Sequence, residues 1–143
     1  MIWLVGLFAY STTYLTYSLE GLVEESTVVI YGDLKGPRAT TITIFNVVAG
    51  ELDEPSSKSI EVVVSEDGSS FNPGLGRALY FIKQCGGISE IAGHGQGAIG
   101  VVGNRFMVEF EPGKIARLAD QSEIALFISR SGRLGARVKC QKD

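Results

Sequence analysis

Gly95-Gln96-Gly97-Ala98-Ile99-Gly100 has the G-x-G-x-x-G spacing with which a dinucleotide pyrophosphate meets a helix N-terminus. That chemistry needs a strand before the glycines and a helix after them. Here Val101-Val102-Gly103-Asn104 and an alternating strand pattern follow, so the stretch reads as a flexible or tightly packed glycine loop and no cofactor is expected. His94, the only histidine, lies in that loop with no carboxylate in local register and no serine in a G-x-S-x-G elbow. The carboxylates Glu51, Asp53 and Glu54, and separately Glu66 and Asp67, offer hard oxygens for calcium, but neither group has EF-hand spacing. One histidine with two distant cysteines, Cys85 and Cys140, cannot assemble a His/Cys zinc cluster, so no metal is expected. The cysteines leave two arrangements open: a disulfide if the domain is extracellular, or two buried thiols. The residues thus point away from catalysis, and the expectation is a protein that is not an enzyme.

The elements begin with an uncharged stretch, residues 1–19, which holds five of the thirteen aromatic residues. These are Trp3, Phe8, Tyr10, Tyr14 and Tyr17, and with Leu4, Leu7 and Leu15 they form the expected assembly surface. A bilayer core needs about 20 apolar residues as a helix, so the stretch is a marginal span. Ser11, Thr12, Thr13, Thr16 and Ser18 favour contacts between helices over contact with lipid. Residues 10–19 are also rich in hydroxylated, β-branched and aromatic side chains, the composition of a strand donated to a neighbour's sheet edge. An ordinary first core element is the third possibility. No Lys or Arg precedes the apolar run and no A-x-A-like site follows it, so a cleaved secretory signal is not expected.

The net charge of −3 conceals an asymmetry: Glu20, Glu24, Glu25 and Asp33 form an acidic collar, whereas Arg130, Arg133, Arg137, Lys139 and Lys142 crowd the last fourteen residues. The basic run reads as a solvated edge strand or as a patch attracting an acidic partner or a neighbour's collar. No aromatic residues interleave with it, and no nucleic-acid partner is expected.

Past the collar, strand patterns recur: Thr27 with Val28-Val29-Ile30-Tyr31, then threonines alternating with isoleucines from Thr40, then Ile60-Glu61-Val62-Val63-Val64-Ser65. Arg77 to Gln84, containing Ala78-Leu79-Tyr80-Phe81-Ile82, is apolar on both faces, as in a central strand, with a short helix as the alternative. Residues 86–103, opening on Gly86 and closing on Gly103, contain seven glycines and are the least regular part. Phe106, Val108 and Phe110 alternate with polar neighbours, and Glu111-Pro112-Gly113-Lys114 is a type II turn joining paired strands. Residues 123–130 read as a strand with Ile124, Leu126 and Ile128 on one side and Phe127 on the other. Leu134, Ala136, Val138 and Cys140 alternate in a last strand, and no convincing helical period is seen after residue 26. The expected fold is mainly β, an antiparallel immunoglobulin-like β-sandwich of seven to eight strands at residues 26–143, preceded by the apolar segment at 1–25.

An uncharged N-terminal segment, residues 1–19, followed directly by a strand-rich domain resembles the layout of archaeal type IV pilin-like surface proteins, including archaellum accessory proteins. The resemblance implies a structural protein of the cell surface, either a pilus-like extracellular filament subunit or an envelope-anchored accessory protein. Its partners would be copies of itself and membrane or envelope proteins. The competing expectation is a soluble ligand-binding β-barrel or small enzyme with its site near residues 86–103.

Overall fold

A strand that is apolar on both faces must be covered on both, and two such strands form the centre of this protein. The computed structural model describes residues 18–35, 41–63, 76–93 and 96–140. In β1 (Val28–Leu34) and β4 (Gly76–Cys85) successive side chains enter two different cores, since side chains alternate across a strand. Val29, Leu79 and Phe81 enter the first core; Val28, Ile30, Ala78, Tyr80 and Ile82 enter the second. The two strands pair antiparallel from Val28 opposite Ile82 to Leu34 opposite Gly76.

The other strands are β2 (Thr41–Gly50), β3 (Ser59–Glu61), β5 (Ile88–Ile91), β6 (Ala98–Val102), β7 (Arg105–Val108) and β8 (Arg117–Ala119). The eight strands form one antiparallel, open sheet in the order β3-β2-β1-β4-β6-β7-β8, with β5 also on β4. The sheet is strongly curled. Tyr31 on β1 and Phe106 on β7 are three strand spacings apart, about 14 Å if flat, yet their ring centroids are 5.9 Å apart. In the other half, Val63 N–H donates to Ser89 O at 2.8 Å, so β3, β2, β1, β4 and β5 wrap the second core.

Helices cover the first core, and here the structure departs from the immunoglobulin-like sandwich. Residues 123–130 are not a strand: they lie in α2 (Gln121–Ser131), which buries Ile124 and Ile128. Asp120 caps the helix by accepting from Glu123 N–H at 2.9 Å, and Gly132 ends it in the left-handed region at φ 61°. Residues 132–140 are not a strand either. They form a strap whose amides bond to α1 (Leu19–Glu24), with Gly135 N–H donating to Val23 O and Arg137 N–H to Glu24 O. The mainly-β, antiparallel character stands, but the layer on the first core is built from α1, α2 and the strap rather than a second sheet.

The assembly residues Trp3, Leu4, Leu7, Phe8, Tyr10, Tyr14, Leu15 and Tyr17 lie outside the described residues, as do His94, Gly95, Glu66 and Asp67. Residues 18–25 of the expected 1–25 segment are described. They are part of the domain core, with Leu19, Leu22 and Val23 buried beside Phe81 and Phe106.

Candidate association groove

Ser18 is the first described residue and the point at which residues 1–17 join the fold. Its hydroxyl accepts from Gly21 N–H at 3.2 Å and caps α1. Leu19 N–H donates to Glu109 O at 2.6 Å and Glu20 N–H to Phe110 O at 3.1 Å, so α1 enters pinned to the chain leaving β7. A six-residue helix has too few internal bonds to stand alone. Burial of Leu19, Leu22 and Val23 anchors its inner face.

Beside this entry lies an open groove of about 680 Å³ between α2, the 110–117 segment and Glu20. The segment turns as its sequence requires: Lys114 N–H donates to Glu111 O at 3.1 Å, and Gly113 at φ 81° takes the position that favours glycine. Phe110 and Phe127 meet edge to face with centroids 5.2 Å apart, and Ile115 and Leu126 extend the apolar lining. Ile115 is 93% exposed. The Arg117 guanidinium sits 4.3 Å from the centre of the Phe110 ring and pairs with Glu123. The arrangement is an apolar floor with one ion pair, Arg117 with Glu123, and the further charged side chains of Glu20, Glu111, Lys114 and Arg130 around it.

The sequence marked several of these residues as strand, turn or charge features but did not bring them together, because Phe110 and Phe127 face each other only once residues 121–131 coil into a helix. The signal was the Asp120-x-x-Glu123 cap followed by Gly132. Of the residues that did stand out, Cys85 and Cys140 are joined in a disulfide with Cα atoms 5.3 Å apart. The acidic collar and the basic tail meet within one chain: Arg133 donates from Nε and Nη2 to Glu24 Oε2, and Arg137 pairs with Glu24 Oε1 at 3.4 Å.

The glycine stretch holds β5 and β6. Ala92 N–H donates to Phe81 O, Phe81 N–H to Gly97 O and Gly97 N–H to Ala92 O, so Ala92 and Gly97 both meet Phe81. A Cβ on Gly97 would stand 3.0 Å from Ala92 O and 3.1 Å from Phe81 Cβ, and a strand follows rather than a helix. Tight packing, not pyrophosphate chemistry, accounts for that glycine.

No protein family, curated protein or solved structure matches the chain. Among the described residues no helix is long and apolar enough to cross a membrane, and no group of three or more His, Cys, Asp or Glu side chains is placed to hold a metal.

Proposed function

We propose that the protein is a non-enzymatic structural component of the cell surface, a filament subunit or envelope-anchored accessory protein, that assembles through its uncharged N-terminal segment. The observation that carries the reading is the root of that segment. Seventeen residues without a charge join the fold at a capped helix sunk in the core, directly beside an open apolar groove. Such a segment gains about 25 cal/mol for each Å² of apolar surface removed from water, which drives association with lipid or with sister copies. The disulfide supports an extracytoplasmic location, because such bonds persist in oxidising compartments. Among the described residues the outermost strands, β3 and β8, have three residues each, and beyond β3 the outer side of β2 is bulged at two places along β1, so the sheet edges are poor templates for a donated strand. The groove is the better receptor for a neighbour's segment, in whichever conformation it arrives.

The test compares the full chain with residues 18–143 by sedimentation, with and without vesicles. Truncation stops at 17 because Leu19, Leu22 and Val23 belong to the core. The full chain is expected to self-associate or to float with vesicles, and residues 18–143 to be a folded monomer. Ile115→Asp, on an almost fully exposed side chain, should weaken self-association without loss of folding. A full chain that sediments as a monomer and ignores vesicles overturns the reading and favours the soluble ligand-binding alternative, for which the groove's volume is also adequate.

A further inference from the structure

We infer that residues 132–140 are a thiol-releasable clamp on α1, the root of the N-terminal segment. The last carbonyls of a helix have no partner within it. In α1 the Leu22 and Val23 carbonyls accept from the Glu25 and Ser26 amides, each at 3.2 Å, and the strap adds a further donor to Val23 O, Gly135 N–H at 3.0 Å, and the partner of Glu24 O, Arg137 N–H at 2.8 Å. Arg133 and Arg137 hold the Glu24 carboxylate from the same side, and Leu134 packs against the first core. Both ends of the strap are fixed. Gly132 joins it to α2, whose Ile124 and Ile128 are buried, and Cys140 fastens it to the end of β4 through Cys85.

The second fastening is open to chemistry, because Cys140 is exposed and Cys85 only half-buried. A dithiol reductant has access: its thiolate attacks one sulfur, breaking the Cys85–Cys140 bond and releasing the other cysteine as a thiolate, and its second thiol then attacks the reductant's own sulfur in the mixed disulfide and releases the first cysteine. Two electrons and two protons pass to Cys85 and Cys140, and the reductant leaves as its own disulfide. With that end free, the strap is held by two backbone bonds, exposed arginines on one carboxylate and one leucine. Such contacts open easily, and a six-residue helix that loses the partner of Glu24 O, one of the two donors on Val23 O and the arginines on Glu24 loosens at that end. The clamp concerns α1 whether or not the segment before it assembles, so it stands apart from the proposed function.

Hydrogen exchange on the full chain, oxidised and after dithiothreitol, tests it. Exchange in the peptide covering residues 19–26 should rise at least about tenfold on reduction, while that covering residues 79–82 of β4 stays within about twofold. The Cys85→Ser/Cys140→Ser double variant should match the reduced chain without reductant. Glu24→Gln should add to exchange at 19–26 in the reduced protein and change it little in the oxidised one. Equal rises in both peptides would make the disulfide a global staple, and no rise at 19–26 would leave α1 independent of the strap; either result overturns the clamp.

Discussion

Tyr80 shows how one residue records the depth of the second core. Its side chain is fully buried and its hydroxyl donates to Gly76 O at 2.8 Å. Burial, with a smaller contribution from the Asp33 charge, pushes its pKa from 10.0 up to about 12 against the opposing hydrogen bond from the Leu34 backbone. The folded phenol therefore keeps its proton where the unfolded chain has lost it. Its contribution is complete below about pH 10 and declines as pH rises through about 12. In denaturant titrations, the drop in stability between about pH 9 and about pH 11 should be smaller in Tyr80→Phe than in the native chain. Equal drops would mean that the phenol titrates as freely folded as unfolded. At this scale the sequence was informative only where neighbours decide the outcome. The apolar run around Tyr80 marked a buried strand, whereas nothing in the spacing of Cys85 and Cys140 chose between bridge and free thiols.

At the scale of elements, β1, β2 and β4 were legible because period-two alternation, or apolarity on both faces, is a local property. The Pro112-Gly113 turn was legible for the same reason and does join the paired β7 and β8. α2 was not. Ile124, Leu126 and Ile128 satisfy a strand's alternation, but Ile124 and Ile128 are also one helical turn apart, and the caps at Asp120 and Gly132 decide between the two. Leu126 accordingly stays exposed while Ile124 and Ile128 are buried. Asp120→Ala should cost about 1 kcal/mol by removing the acceptor for Glu123 N–H. An unchanged denaturant midpoint would show that the cap is dispensable. The strap was misread likewise: Leu134, Ala136 and Val138 alternate, but their backbone meets the end of a helix rather than a strand.

For the whole molecule, the mainly-β, antiparallel character followed from turn signals, but the expected seven to eight strands included residues 123–130 and 134–140, which are a helix and a strap, and left out β5 and β6. The single curled order and the helical layer did not follow from turn signals, because they depend on contacts between distant parts of the chain. The groove has the same origin, since the 110–117 segment, α2 and α1 meet only in the finished fold. Charge distribution along the sequence hinted at a link between collar and tail, and the fold makes that link within the subunit. Under the proposed function, the environment of the uncharged leading segment carries the account. Trp3 is the only tryptophan, so fluorescence of the native chain reports on that segment alone. Its emission should shift to shorter wavelength as protein concentration is raised or vesicles are added, and residues 18–143, lacking Trp3, should give no such signal. An emission maximum that stays fixed across dilution and indifferent to lipid would contradict the account.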